Sequence, residues 1–216
     1  MQIFPGHYCI GYITYNVYCL ILGTAPTFLG IALGIFFGLV PDLDVLLLLP
    51  GIIKGDQSKI DGTEFKHHSY PTHYPILYSP LIILPILIPN AITLSIVTAL
   101  YLHLFVDTFC TSDGIKWLYP FKNKFYTMLS DKTRGKHGIF WEHEYKNTPI
   151  FKLEYFLLGC GCLILWLNHI IYYQIPMWGI ILLGCTIIGF IIGTVLVERF
   201  RLKYLDRRVT EEKEKL

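Results

Sequence analysis

The sequence predicts an all-α membrane protein, a polytopic bundle of about six hydrophobic helices arranged in three hairpins. Of its 216 residues, 53% are hydrophobic and only 16% are charged, whereas soluble domains carry about 25% charged residues. Residues 76–106 and 155–197 contain no Asp, Glu, Lys or Arg. Because a spanning helix needs about 20 apolar residues, both stretches are long enough to cross a bilayer.

Six hydrophobic segments follow one another along the chain, at about 8–24, 27–40, 76–89, 91–108, 153–172 and 176–197. Pro26, Pro89 and Pro176 separate the two members of each pair, which is why we expect three helical hairpins. The second and third segments are short for a full span. The third also contains several prolines, which predict a kinked or partly inserted helix.

Three polar segments, all rich in lysine, follow the hairpins at 41–75, 109–152 and 198–216. The turns within the hairpins contain no Lys or Arg. Because cytoplasmic loops carry an excess of Lys and Arg, we predict that all three polar segments and both termini are cytoplasmic. The prediction is a multi-pass protein of the inner membrane, with one transmembrane helical domain at 1–198 and a charged cytoplasmic tail at 199–216.

Composition also limits the partners of the chain. The net charge of +2 is small and no Arg-rich stripe is present, so we predict membrane lipid and no nucleic acid as a partner. The six cysteines lie mostly in apolar segments and form no CxxC pair, which is typical of buried hydrophobic side chains. No Lys or Arg precedes Lys54, so residues 1–24 do not look like a signal peptide.

Ionisable side chains at membrane depth are costly and usually functional. Here they occur at four places: His7, Asp42 with Asp44, His67 with His68 and His73, and His103 with Asp107. The predicted topology rests on Lys and Arg alone, yet it places all four at the same cytoplasmic face. We therefore expect these side chains to form one site.

The spacing of these residues leaves more than one interpretation open. His103 and Asp107 are four apart and share a helical face, so they are two metal ligands, a ligand with its orienting carboxylate, or a buried ion pair. Asp44 follows Pro41, which disfavours a helix at Val40 and predicts irregular chain there. Asp44 then either takes part in the site or caps a helix.

The whole set predicts a centre with one or two divalent ions, for which Zn, Mn or Fe suits mixed His/Asp ligation. Asp42 and Asp44 are the predicted catalytic residues, with Asp44 as a bridging ligand or general base. The predicted metal ligands are His7, Asp42, Asp44, His68, His73, His103 and Asp107.

The order of these motifs resembles that of a known family. The motifs are Gly6-His7, Val40-Pro41-Asp42-Leu43-Asp44, His68-x4-His73 and His103-x3-Asp107-x6-Gly114-x5-Pro120. They are similar to the signature of the YdjM-like membrane-bound metal-dependent hydrolases of bacterial and archaeal inner membranes, over residues 5–122. The resemblance implies a multi-span helical hydrolase and the same seven site residues.

This sequence departs from the usual middle motif of that family, His-Arg-Gly-x-Thr-His-Ser. Ser69, Tyr70 and Tyr74 stand at the Arg, Gly and final Ser, and His67 does not match the motif. The Arg would suit an anionic substrate, and the candidates that replace it here are Lys66, Lys116 and Lys122.

Three functions are compatible with this pattern. The first is a hydrolase, in which a metal-activated water attacks a phosphoester or lipid-like substrate at the cytoplasmic interface. The second is a carrier for divalent cations or protons, which predicts polar side chains across the whole membrane; few are present. The third is a non-catalytic protein with a structural metal, which predicts a closed ligand shell.

Overall fold

The protein is mainly helical over the residues that its computed structural model describes, which are 6–48, 67–110, 114–128, 138–173 and 175–214. The α-helices are α1 (Gly6–Leu22), α2 (Phe28–Leu39), α3 (Pro75–Tyr78), α4 (Ile83–Leu87), α5 (Ala91–Cys110), α6 (Gly138–Tyr145), α7 (Pro149–Ile171) and α8 (Met177–Glu214). Four 3₁₀ segments are interspersed at Val40–Leu48, His67–Ser69, Pro71–His73 and Ser79–Ile82. No β-strand is present in these ranges, so the predicted all-α class is confirmed.

Three helices are long and apolar enough to cross a membrane, at Ala91–Phe109, Phe151–Ile171 and Met177–Glu211. They confirm the expectation of transmembrane helices, whereas the count of six spans stays a prediction. The proline-rich third segment is broken, as expected. Its two short helices α3 and α4 are joined by 3₁₀ structure that contains Pro80, because proline removes a backbone donor and clashes with the preceding turn.

The chain divides into two compact units, Met1–Gly135 and Lys136–Leu216. In the first unit α1, α2 and α5 pack against one another. A buried apolar cluster joins α5 to its neighbours and consists of Tyr78, Ile96, Leu100, Leu104 and Ile115. This packing fixes α5, which carries two of the predicted site residues.

Helices α1 and α2 approach each other closely at glycines. A Cβ atom at Gly11 would overlap the backbone of Gly34, and one at Gly30 would overlap the Tyr15 ring. The Tyr15 hydroxyl also accepts a hydrogen bond from the Thr27 backbone N–H at 3.0 Å. Thr27 in turn caps α2, because its Oγ1 accepts from the Gly30 N–H at 3.1 Å. Glycines such as Gly11 and Gly34 let membrane helices pack backbone to backbone.

The segment that carries Asp42 and Asp44 is a helical continuation of α2, so the expected irregular chain at Val40 is wrong. Val40 has φ −50° and ψ −41°, in the right-handed helical region. Pro41 lies in the first turn of the 3₁₀ segment Val40–Leu48. Its missing N–H is tolerated there because the first N–H groups of a helix have no partner within it.

Residues 114–128 form a loop that returns to α5. Ile115 and Tyr126 exchange two backbone hydrogen bonds of 2.9 Å, and Gly114 has φ +69°, with no room for a Cβ atom against the Tyr126 carbonyl. Trp117 Nε1 donates to Thr108 Oγ1 at 2.8 Å, and the Met128 N–H donates to the Thr108 carbonyl at 2.7 Å. The loop is thereby attached directly beside Asp107.

The second unit consists of α6, α7 and α8. Thr148 caps α7 by accepting from the Phe151 N–H, and the buried Tyr145 hydroxyl donates to Glu154 Oε1 at 3.0 Å. Helix α8 has 38 residues and is therefore about 57 Å long, well beyond the roughly 30 Å of a hydrocarbon core. The predicted boundary between residues 198 and 199 lies inside this continuous helix.

The crossing of α1 and α2 predicts a difference between two glycine-to-alanine substitutions. Gly11→Ala should lower the free energy of unfolding by about 2 kcal/mol or more, because the backbone of Gly34 cannot move aside. At Gly189 in α8 no described atom lies within 4 Å of an added Cβ, so Gly189→Ala should be neutral or slightly stabilising. Unfolding by SDS in mixed micelles measures both, and equal losses would contradict the packing.

Candidate metal centre

Three separate segments bring six of the seven predicted site residues together. Helix α5 carries His103 and Asp107 on one face, and the 3₁₀ segment after α2 carries Asp42 and Asp44. The two short 3₁₀ turns before α3 carry the remaining histidines, His68 and His73. The histidines, Asp44 and Asp107 are all buried, whereas the Asp42 side chain is 29% exposed.

His103 links α5 to the segment that follows α2. Its Nε2 lies 3.1 Å from Asp107 Oδ2 and 3.5 Å from Asp42 Oδ1. Its Nδ1 lies 2.6 Å from the carbonyl oxygen of Gly38. A carbonyl can only accept, so we assign the ring proton to Nδ1, which leaves the Nε2 lone pair of the neutral ring directed at the two carboxylates. Metal-binding histidines are oriented in this way.

Asp107 lies among all three imidazoles. Its Oδ2 is 3.8 Å from His73 Nε2 and 3.9 Å from His68 Nε2, in addition to its contact with His103. His73 Nε2 is also 3.7 Å from Asp42 Oδ1. Two overlapping groups therefore have candidate ligand atoms within 4.8 Å of one another, Asp42–His73–His103 and His68–His73–Asp107.

Asp44 lies at a different edge of the His73 ring from these groups. Its Oδ2 is 3.5 Å from His73 Nδ1, and Thr72 Oγ1 is 3.3 Å from the same nitrogen. A carboxylate at Nδ1 favours the tautomer in which Nε2 has a lone pair for a ligand. This geometry is that of an orienting carboxylate, while the prediction that Asp44 binds metal directly stays a prediction.

The donor set fits a divalent transition metal. Donors at about 2.0–2.2 Å from a tetrahedral ion lie about 3.4 Å from one another, and the separations between the imidazole nitrogens and the carboxylate oxygens here are 3.1–3.9 Å. Imidazole and carboxylate ligands suit Zn, Mn or Fe. An imidazole Nε2 binds one ion, so a second ion would have to share a carboxylate such as Asp107.

The side chains of two histidines lie outside the described part of the protein: the predicted ligand His7, and His67 next to His68. His7 lies in the first turn of α1, and His67 opens the 3₁₀ turn His67–Ser69. The prediction that His7 joins the centre therefore stays a prediction.

Tyrosine residues hold the histidine-bearing turns, a feature that the sequence analysis missed. The Tyr74 hydroxyl donates to the Ser69 carbonyl and the Tyr78 hydroxyl to the Thr72 carbonyl, both at 2.6 Å. Burial raises the pKa of Tyr74, and the neighbouring Tyr119 adds to the shift, so this phenol stays a donor at neutral pH. The signal in the sequence is the spacing of Tyr74 and Tyr78, four residues apart and just after the histidines.

A buried cluster of histidines and aspartates among apolar helices defines a membrane protein with a candidate metal centre. The chain belongs to the YdjM inner membrane protein family, whose sequence model matches residues 1–175. The match includes the six clustered residues and continues beyond residue 122, where the motif resemblance ended, through α7. No curated protein and no solved structure gives a significant match.

The position of Asp44 predicts a graded effect on metal affinity. Asp44→Ala should weaken binding of Zn or Mn by about 10–100-fold, as loss of an orienting partner does, and Asp44→Asn should recover part of it because the amide oxygen can still face the protonated Nδ1. His103→Ala should weaken binding more strongly than Asp44→Ala.

Metal content after dialysis against graded chelator measures these affinities. His169→Ala is the matched control, since His169 Nδ1 contacts the Leu165 carbonyl within α7. An Asp44→Ala variant with wild-type affinity would contradict the orienting role, and a loss in His169→Ala as large as in His103→Ala would contradict the location of the site.

Proposed function

We propose that this protein is a membrane-embedded, metal-dependent hydrolase that acts on a phosphoester or lipid-like substrate at the cytoplasmic interface. The observation that carries the proposal is the cluster of imidazoles and carboxylates around Asp107, of which Asp42 alone is partly exposed. A closed structural site has no reason to present one carboxylate to the exterior, whereas a catalytic site keeps an open side for substrate.

In this proposal His68, His73, His103, Asp42 and Asp107 hold one or two divalent ions, and His7 joins them. A bound ion of this kind polarises a phosphoryl oxygen and lowers the pKa of water, so that a nucleophile forms at neutral pH. The protein contributes ligand orientation. The Gly38 carbonyl directs His103, and Asp44 directs His73 from its Nδ1 side.

Asp42 and Asp44 have different parts in the proposed mechanism. The partly exposed Asp42 is the catalytic carboxylate, because it reaches both the ligand cluster and the open side, where it can accept a proton from water. The buried Asp44 is a positioning residue that acts through His73. This role is narrower than that of the bridging ligand or general base expected from sequence.

The surface of the loop 114–128 supports a site at the level of the lipid headgroups. Its exposed apolar side chains include Phe121, at 84% exposure, and Met128, at 67%. Lys122 and Lys124 lie beside them. Aromatic and cationic side chains of this kind are typical of a membrane interface, and the lysines agree with the proposed cytoplasmic orientation of this face and of both termini. An amphiphilic substrate would reach the centre from this level.

The carrier alternative receives less support. Several polar side chains elsewhere in the described helices of the first unit contact their own backbone. Thr14 Oγ1 donates to the Ile10 carbonyl at 2.8 Å, and Ser95 Oγ donates to the Ile92 carbonyl at 2.8 Å. Such bonds satisfy a hydroxyl within its helix and provide no path for an ion.

The proposal predicts metal-dependent hydrolysis that requires the cluster. The full-length protein in detergent should contain metal and hydrolyse bis(p-nitrophenyl) phosphate or phosphatidylglycerol. Asp107→Ala should lower kcat/KM by about 100-fold or more, because it removes the carboxylate shared by all three histidines. Asp206→Ala in α8 is the matched control and should retain activity.

Two outcomes would contradict the proposal. One is a wild-type protein that contains no metal after purification and takes up none when Zn, Mn or Fe is supplied. The other is a metal-loaded protein that hydrolyses neither substrate but carries the same ion across liposome membranes, which would establish the carrier.

A further inference from the structure

We propose that Lys116 is the anion-binding subsite of this centre and holds the phosphoryl group of the substrate. This inference rests on the hydrolase function proposed above and names the group that recognises the substrate. It is carried by the aromatic cage around the Lys116 ammonium and by the attachment of that cage to the histidine-bearing turns.

Lys116 is a buried cation whose described partners are aromatic rings. Only 9% of it is exposed, and its Nζ lies 4.7 Å from the ring centre of Phe125, 5.5 Å from that of Tyr119 and 5.7 Å from that of Tyr74. Within the described ranges no carboxylate pairs with this ammonium. Aromatic rings attract a cation through their quadrupole but carry no net charge. The rings therefore hold the positive charge in place without neutralising it.

The cage is attached to the turns that carry His68 and His73. Tyr74, one wall of the cage, directly follows His73 in the chain. Its hydroxyl donates to the carbonyl of Ser69, which directly follows His68. A ring fixed between the two histidine-bearing turns therefore contacts the Lys116 ammonium.

The backbone beside Lys116 is also fixed relative to Asp107. Its neighbour Ile115 is fully buried in the core with Leu104. Its other neighbour, Trp117, donates to Thr108, which follows Asp107. Lys116 is thus attached both to the histidine-bearing turns and to the end of α5, the elements that carry His68, His73 and Asp107.

The charge of the centre explains why an anionic substrate would need this lysine. The three carboxylates of Asp42, Asp44 and Asp107 outweigh the charge of one divalent ion and offset most of the charge of two. An incoming phosphoryl group therefore gains from a further, desolvated cation. The lysine ammonium is a compact point charge that commonly binds phosphate.

Of the three lysines considered from sequence, the structure favours Lys116. Lys66 lies outside the described residues. Lys122 is exposed, so its charge is screened by solvent and contributes little to binding.

The first test measures the binding of inorganic phosphate to the metal-loaded, full-length protein in dodecylmaltoside by titration calorimetry. Lys116→Met should weaken binding at least about tenfold, the loss expected for a charge-assisted hydrogen bond. The control Lys122→Met should bind as wild type does. Metal content is measured for every variant, so that loss of the ion is separated from loss of the anion site. Unchanged phosphate affinity in metal-loaded Lys116→Met would overturn the inference.

A second measurement needs no variant. Reductive methylation of wild-type lysines is followed by mass spectrometry in detergent alone, with inorganic phosphate, and with mixed micelles that contain phosphatidylglycerol. Phosphate should slow the methylation of Lys116 several-fold relative to Lys122. Protection of Lys116 by phosphatidylglycerol but not by inorganic phosphate would support the subsite and identify a lipid headgroup as its ligand. Equal rates under all three conditions would overturn it.

These outcomes are distinguishable from failure of the hydrolase itself. A protein that binds metal and hydrolyses phosphoesters, but whose phosphate affinity does not depend on Lys116, refutes the subsite alone. A protein that binds no metal refutes the proposed function first.

Discussion

The structure depends on the close approach of buried and half-buried carboxylates to buried imidazoles. Asp42 and Asp107 both face His103 Nε2, at 3.5 and 3.1 Å, among apolar helices. Carboxylates repel each other strongly in a medium of low dielectric, and burial of each charge is unfavourable unless positive charge compensates it. Protonated imidazoles or a divalent ion supply that compensation, and only the ion uses the lone pair that the His103–Gly38 contact directs inward.

The surrounding elements are organised so that this cluster holds its geometry. Helix α5 is fixed by its apolar contacts and by the loop 114–128, which is attached to Thr108. The short turns before α3 are held through hydroxyl groups of tyrosines rather than through a long helix. A catalytic site requires such support, since ligands held only by loops lose the geometry that the chemistry needs.

Sequence reasoning was accurate where a property is local. The apolar run 91–108 matches helix Ala91–Cys110 to within two residues, because hydropathy and length determine a membrane helix. The predicted irregular conformation of Val40 was wrong. The preference of a residue before proline for extended backbone is weaker than the tendency of α2 to continue into the 3₁₀ segment. The contact of the Gly38 carbonyl with His103, the position of Asp44 beside His73 and the burial of Lys116 all depend on tertiary contacts. They could therefore not be predicted from the sequence.

X-ray absorption spectroscopy of the metal-loaded protein tests the central claim most directly, because it measures the ligand shell itself. The account predicts nitrogen and oxygen ligands at about 2.0–2.2 Å, with the outer-shell scattering of at least two imidazoles and no sulfur. A shell with sulfur at about 2.3 Å, or one of oxygen alone without imidazole scattering, would contradict a centre built from His68, His73, His103, Asp42 and Asp107.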